Sequence, residues 1–508
     1  MNRGHDRGQT TRWTVAWWIG LLLASPCVAS AQHPGAHGTF AAAVAPIADP
    51  PSLAGDTMRV PAAGNGREDA MPEGAVLENA VPDARSLPAA DRRFALAGGQ
   101  VFTLNFAMWA LNYSVRGHST FRISPETMWR NFGRAQWDVN RFGMNQFGHP
   151  YNGGLYYNAG RSNGYGLIPS AALAVIGSYM WECCFEAEPP SINDLVNTSL
   201  GGVSFGETTH RLAALTYQPG VGGLEGLGRG ALGFVLDPIG GLTRLVTGRP
   251  AAAGRSYHGA GTVPLSAVLR AGGMSSALAV DRAPSLGREG PVFDLDLSYG
   301  DPFERPRSGP YDYFNAIVQI DLTSRTPMRR LAIDGVLAAR RVGSGAKARH
   351  VLGLNQRFEL MRNDAFEFGG PSLTGGLTSA FPVLGNLELR TFLGLDGVIL
   401  GAVESDHIVS RSHDYGPGAG AIVDLRLRWY GKDVLQAGYS ARWIHILDGT
   451  ATSHRVQVLG ARATAPLFGP LGAGFDYTLY LRDSRFAEFA DVHRAQSEIR
   501  AFATYFAG

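Results

Sequence analysis

Residues 435–443 read Leu-Gln-Ala-Gly-Tyr-Ser-Ala-Arg-Trp, with Leu435, Ala437, Tyr439, Ala441 and Trp443 alternating against Gln436, Ser440 and Arg442. A period of two puts the apolar set on one face of a strand and the polar set on the other. The pattern recurs on both sides of this stretch. Phe293, Leu295, Leu297 and Tyr299 alternate with Asp294, Asp296 and Ser298. Phe314, Ala316, Val318, Ile320 and Leu322 alternate with Asn315, Gln319 and Asp321. Leu425, Leu427 and Trp429 oppose Asp424, Arg426 and Arg428, and Phe475, Tyr477, Leu479 and Leu481 oppose Asp476, Thr478 and Arg482. The alternation predicts about twelve strands of roughly 8–14 residues over residues 260–508, long for soluble strands and suited to tilted membrane strands.

A secreted β-sandwich alternates too. Three features favour a membrane barrel. The polar face carries full charges on nearly every strand, as a water-filled or networked lumen requires. Tyr299, Trp429, Tyr430, Trp443 and Tyr505 recur near strand ends, the level of interfacial aromatic girdles. Strand follows strand to the C-terminus, where Arg500 to Phe506 form an alternating aromatic strand and only Ala507-Gly508 follow. A closed barrel also meets lipid's demand that every backbone N–H and C=O be paired. The fold class is therefore α+β, an antiparallel transmembrane β-barrel preceded by an N-terminal helical domain.

The chain has 508 residues, more than one ordinary soluble domain. It is 45% hydrophobic and 17% charged, with a mean hydropathy of −0.05. That composition buries a core but does not read as a multi-span helical membrane protein, and no stretch after the N-terminus reads as a spanning helix. The N-terminus reads as a secretory signal over residues 1–31: Arg3, Arg7 and Arg12, an apolar run from Trp13 to Ala24, and Ala29-Ser30-Ala31 before Gln32. Cys27 raises a lipoprotein signal as the rival, and Pro26 directly before it fits that poorly. Losing residues 1–31 would remove three Arg and one Asp from totals of 45 and 43, leaving the two signs equal. A neutral mature chain argues against nucleic acid as a partner. Cys183 and Cys184 are adjacent, a spacing that rarely gives a relaxed disulfide, and they read as small residues packed in a helix.

Residues 32–94 are rich in Ala, Pro and Gly without a period and read as a disordered linker. Residues 95–250 read as helical. Phe102 to Tyr113 and Ser170 to Phe185 are apolar runs of helical length. Ser124-Pro125 and Ser191 look like helix starts, and Leu227 to Val246 is interrupted at Pro238. Gly153-Gly154, Gly201-Gly202 and Gly222-Gly223 read as joints between helices.

This segment also holds a long ordered polar-aromatic run. It reads Asn145-Gln146-Phe147-Gly148-His149-Pro150-Tyr151, then Gly153-Gly154-Leu155-Tyr156-Tyr157-Asn158-Ala159-Gly160-Arg161, then Tyr179-Met180-Trp181-Glu182. It goes on through Pro189-Pro190-Ser191-Ile192-Asn193-Asp194 and Gly206-Glu207 to His210-Arg211-Leu212. Over about residues 95–250 it resembles the bacterial family known as domain of unknown function 3943. The resemblance implies a bacterial envelope protein and brings no activity with it.

The same run supplies the candidate chemistry. Glu182 and Glu186 are four apart and share one helix face. Glu207 and His210 have the Glu-x-x-His spacing of di-iron bundles, which need that motif twice, and here it is found once. A buried network of these residues with Arg161 and Arg211 is the plainer reading, so no metal and no cofactor is assigned. Gly202-Val203-Ser204-Phe205-Gly206 matches the hydrolase elbow but follows a helix rather than a strand. His149, before Pro150 in a Gly- and Asn-rich loop, is a candidate general base or hydrogen-bond hub. Catalytic candidates are thus His149, Glu182, Glu186, Glu207, His210 and Arg211. Tyr151, Arg161, Asn193 and Asp194 are candidate binding residues.

Two functions follow. The first is a barrel in the outer membrane of a Gram-negative bacterium with a helical domain that plugs, caps or lines it, in a structural or ligand- and lipid-passage role. Its partners would be outer-membrane lipid, the barrel-assembly machinery and a small or lipidic ligand. The second is an envelope enzyme acting on lipid or glycan through His149, Glu182 and Glu207.

Overall fold

A computed structural model describes residues 92–116, 121–138, 141–216, 222–248 and 264–507, with short gaps within the last range. The expected signal, and the linker up to residue 91, lie outside the described residues.

The C-terminal part is a closed barrel of twelve long antiparallel strands. They are β1 Leu265–Val280, β2 Glu289–Tyr299, β3 Phe314–Asp321, β4 Met328–Val342, β5 Arg349–Arg362 and β6 Glu367–Leu384. They continue as β7 Leu387–Glu404, β8 His413–Trp429, β9 Lys432–His445, β10 Ala451–Phe468, β11 Leu471–Phe486 and β12 Val492–Ala507. Each pairs with its neighbour in sequence, and β12 returns to pair with β1 from Ala267↔Ala507 to Val280↔Arg494. Two short strands, Ala283–Ser285 and Arg307–Ser308, pair with β1 and β4 outside this ring. At one end the connections β6–β7, β8–β9 and β10–β11 are tight two-residue turns. Tyr430 and Gly431 both take positive φ, 49° and 77°, the conformation of a primed hairpin turn. The same end carries the longest connection, from Tyr299 to Phe314, while those at the opposite end are of middling length, as between Glu404 and His413.

The helical part comprises α1 Phe94–Arg116, α2 Pro125–Asn131, α3 His149–Ser162, α4 Leu167–Cys184, α5 Ile192–Val196, α6 Gly202–Thr216, α7 Gly223–Leu236 and α8 Pro238–Thr247. Two π-helical turns, Met144–Gly148 and Asn197–Gly201, lead into α3 and α6. Ser124 caps α2 in a capping box, Ser191 caps α5, and Asp237 caps α8 ahead of Pro238. Three expectations change here. His149 begins a helix and does not sit in a loop. Gly153-Gly154 lies inside α3, because that helix packs directly on α6. A Cβ at Gly153 would stand 1.7 Å from the Thr198 carbonyl oxygen, and one at Gly202 would stand 2.5 Å from Gly153. Cys183 and Cys184 are joined to each other by a disulfide, contrary to the reading of two free thiols.

Strand register divides the wall into two faces. Leu297, Ala316, Ile333 and Phe358 are successive partners and share one face, while Asp334 and Arg357 share the other. The face carrying Leu395, Phe475 and Ile499, exposed by 74%, 62% and 59%, is the outer one. Tyr299, Phe314, Ile333, Phe358, Leu360 and Tyr415 lie on this same outer face and are buried, Phe358 completely. Helical residues cover them. Phe142 and Phe205 join them in one core cluster, and the Phe205 and Phe358 rings meet edge to face at 5.7 Å. Gln356 donates to the Leu200 carbonyl at 2.8 Å, Arg211 to the Pro310 carbonyl at 3.0 Å, and Asn145 to the Tyr415 hydroxyl at 2.8 Å.

The helical domain therefore lies against the outside of the wall along β2–β8, and the expected plug gives way to a flanking domain. Tyr299, expected in an exposed girdle, sits under this domain with the Arg211 guanidinium 6.0 Å from its ring. Trp429, Tyr430, Trp443 and Tyr505 remain exposed. The domain's own free surface is apolar too, with Phe102, Phe106, Leu111, Ile176, Leu227 and Leu245 exposed. Phe94–Val115 and Leu167–Cys184 are long and apolar enough to cross a membrane by length and composition. The sequence reading passed over both, because polar residues such as Asn105, Ser170 and Ser178 break up the apolar runs; all three are buried.

Gly153→Ala is expected to wedge α3 from α6 at a cost of about 1–3 kcal/mol. The helical domain should become protease-sensitive while the barrel keeps its heat-modifiable gel mobility; loss of both together would show that the barrel depends on the helices.

Candidate functional site: two buried clusters and a charged lumen

The helical domain buries two polar clusters of opposite electrostatic character. In the first, Glu207 on α6 receives Arg161 of α3 at 2.8 Å and Arg211 at 2.7 Å, and the Tyr157 hydroxyl donates to it at 2.6 Å. Burial pushes the Glu207 carboxyl up, but the Arg161 and Arg211 guanidiniums outweigh it and hold the group well below the usual carboxylate range. Arg161 also donates to the Tyr165 carbonyl, and His210 Nδ1 stands 3.0 Å from Asp237, the cap of α8. Each charge here has a partner, so the cluster ties α3, α6, α8 and the barrel loop at Pro310 together.

The second cluster lacks that compensation. His149 at the start of α3, Glu182 near the end of α4 and Asp194 on α5 bring one ligand-type atom each to within 4.8 Å of one another. Ser191 organises the two carboxylates. Its backbone N–H donates to Glu182 at 2.9 Å, and its hydroxyl accepts from the Asp194 backbone N–H at 3.2 Å. Asn193 accepts from the Asp138 backbone N–H at 2.9 Å, which draws Asp138 in. Glu186 accepts from the Trp181 indole at 2.9 Å. Burial pushes the Asp194 carboxyl up to about 6, against hydrogen bonds from Ser191 and Asp138. Burial, followed by the charge of Asp194, pushes Glu186 up to about 8. Burial takes His149 down to about 4, with Asp138 pulling the other way.

The structure thus separates the candidate residues into two groups. It brings His149 to Glu182 and Asp194, with Asn193 and Glu186 around them. It gathers Glu207, His210, Arg211 and Arg161 elsewhere. Tyr151 belongs to neither and stacks on Phe147 at 6.1 Å between the helices. Ser204 of the Gly-x-Ser-x-Gly match is buried inside α6, with no strand-to-helix elbow around it.

The lumen is the third polar region. Arg442 of β9 reaches Asp396 at 2.6 Å and, four strands away on β5, Glu359 at 2.9 Å. Arg500 of β12 binds Asp476 at 2.7 Å and Asp294 at 3.2 Å, and Arg462 joins the same pair of carboxylates. Arg329 of β4 pairs with Glu498 of β12. Arg442, Arg500, Asp476 and Glu498 are all buried. Beyond them, Phe368, Ile444, Val456 and Tyr480 form an apolar plug made of the wall's own side chains. At the long-loop end a cavity of 620 Å³ is lined by Arg288, Asp321, Arg329, Asp364, Glu367 and Glu404 among others. Sequence reasoning missed this vestibule, since its residues come from separate loops and strand ends with no common motif.

Glu207→Gln leaves two buried guanidiniums without their counter-charge, at an expected cost of about 3–5 kcal/mol in denaturant unfolding. Arg229→Ala, at the exposed Glu225 pair on α7, should change stability little.

No curated protein matches the chain. Among solved structures, it is similar to the outer membrane channel DcaP of Acinetobacter baumannii, at 8% identity over 48% of this chain and 97% of that one, with a TM-score of 0.24. It is similar to the toluene transporter TodX of Pseudomonas putida, at 8% identity over 52% and 93%, TM-score 0.20. It is also similar to a loop-deletion form of OmpT, an outer membrane protein of Vibrio cholerae, at 10% identity over 48% and 99%, TM-score 0.18. Likeness at these scores carries nothing about cargo or pore. Residues 134–239, a narrower span than the 95–250 of the resemblance, match the family described as Domain of unknown function (DUF3943), in line with that resemblance.

Proposed function

We propose that this is an outer-membrane protein of a Gram-negative bacterium in which a sealed barrel anchors a lipid-facing helical domain, and that its role is structural or the holding of a lipidic ligand along that flank. One observation carries the reading. The outer face of the wall is apolar all round, and where the helical domain covers it, the domain presents an equally apolar surface of its own. Such a surface suits lipid and would be a liability in water. The three two-residue turns on one side fit the short periplasmic turns of such barrels, although the long connection from Tyr299 to Phe314 shares that end. Delivery to this membrane would rest on the signal at residues 1–31 and on the barrel-assembly machinery.

Passage of a ligand through the lumen fits less well, because ion pairs four strands apart bridge it. The enzyme reading through His149, Glu182 and Glu207 as one cluster has no geometry behind it, because Glu207 is held by Arg161 and Arg211 apart from the other two.

Purified chain in planar bilayers should show no steady porin-sized conductance, and the double variant Arg442→Ala with Arg500→Ala should open a measurable one. A large conductance from the unaltered chain would defeat the sealed-barrel reading. A nitroxide on Phe106→Cys in α1 should be relaxed by oxygen dissolved in lipid and protected from a water-soluble relaxant. The reverse would place the domain in water.

A further inference from the structure

The acidic cluster in the helical domain has the composition of a ligand set. Glu207, in the same domain, is neutralised by two guanidiniums. Glu182 instead accepts from the Ser191 backbone N–H, and the basic side chain beside Asp194 is the His149 imidazole. Buried carboxylates without cationic partners either keep protons or hold a cation.

The geometry favours a cation. The His149, Glu182 and Asp194 ligand atoms lie within 4.8 Å of one another and come from three different helices, so their meeting is tertiary. His149 Nε2 is 3.6 Å from Asp194 Oδ1, too far for a hydrogen bond. Two ligands on one ion at about 2.1 Å stand roughly 3–4 Å apart, the separation seen. The other imidazole nitrogen, Nδ1, is 3.2 Å from the Thr198 hydroxyl. A proton on Nδ1, shared with Thr198, leaves the Nε2 lone pair facing the carboxylates, the arrangement by which an outer partner orients a metal-binding histidine. Asn197, between Asp194 and Thr198 on the chain, has both side-chain polar atoms buried without a hydrogen-bond partner. Both π-helical turns border the cluster: one runs directly into His149 and the other supplies Thr198. Such turns often mark functional sites.

We propose that His149 Nε2, Glu182 and Asp194 bind one divalent transition-metal ion, with Thr198 as the positioning residue for the imidazole. One nitrogen and two carboxylate oxygens suit Zn²⁺ or Mn²⁺ over thiophilic ions. The sequence pointed away from a metal because the single Glu-x-x-His motif drew attention to Glu207, whereas the ligands come one per helix. The inference is independent of the lipid-facing reading of the domain.

The full chain, purified in detergent and stripped with a chelator, is titrated with Co²⁺, whose visible absorption reports nitrogen and oxygen coordination. One Co²⁺ per chain is expected. Thr198→Val keeps all three ligands and should weaken binding by about 10–100-fold. The triple variant His149→Gln, Glu182→Gln, Asp194→Asn should remove the absorption, with heat-modifiable mobility and protease resistance checking that it has folded. If the unaltered chain takes up no Co²⁺, or Thr198→Val binds as tightly as the unaltered chain, the proposal falls. It also falls if the absorption persists in the triple variant; should that variant fail to fold, the Thr198→Val affinity decides.

Discussion

The hydrogen-bonded seam between β1 and β12 is the contact on which the rest of this structure depends. It removes the two edges a twelve-stranded sheet would otherwise expose, so the backbone can sit where no water is available to pair it. Closure also turns the alternation of each strand into an inside and an outside. Asp294, Arg442, Asp476 and Arg500 are directed into the lumen, where all four are buried and each finds an opposite charge. Phe502 turns inward with them, where Arg270 and Arg462 lie over its ring. The interior is held by ionic contacts, and that same feature closes it as a pathway.

The outer face has the opposite problem. In the proposed membrane setting, side chains facing lipid would gain little by burial against another apolar surface, so the hydrophobic effect would not by itself bind a helix to the wall. Close packing and polar links must do so. The seam has both. Pro150 and Phe358 pack so tightly on Gly201 that a Cβ there would lie 2.8 Å from Pro150. The hydrogen bonds that Gln356, Arg211 and Asn145 make across the seam would be lost if the domain came away. The π-helical turn Asn197–Gly201 contributes directly, since the Leu200 carbonyl within it accepts from the barrel.

Within the domain, the two clusters show that burial alone does not set the fate of a carboxyl. Glu207 and Glu182 are about equally buried. One sits between two guanidiniums and stays ionised, bracing α3 against α6. The other sits among carboxyls beside an imidazole and accepts from the Ser191 backbone N–H rather than from a guanidinium. The first arrangement is a strut. The second is open to chemistry, and it is the part of the domain that a purely structural role leaves unexplained.

The sequence by itself determined what depends on neighbours along the chain. A period of two marked the strands and their number, Ser124 and Ser191 marked helix starts and Pro238 a helix break, because strand faces and helix caps are settled over a few residues. It did not show where the helical domain sits. The alternation in Phe314 to Val318 is the same whether lipid or a helix covers that face, and Tyr299 reads as an interfacial aromatic in either case. It did not show that Gly153 belongs inside a helix, since the reason is a backbone from fifty residues away pressed against it. It set Glu207 in a network with Arg161 and Arg211, where the fold keeps it, but grouped His149 with them because they share a conspicuous run, while the fold sent His149 to Asp194. Register around the ring, the docked flank and the grouping of charges are distances between remote segments. Only the tertiary structure decided them, because no local period encodes which surfaces meet.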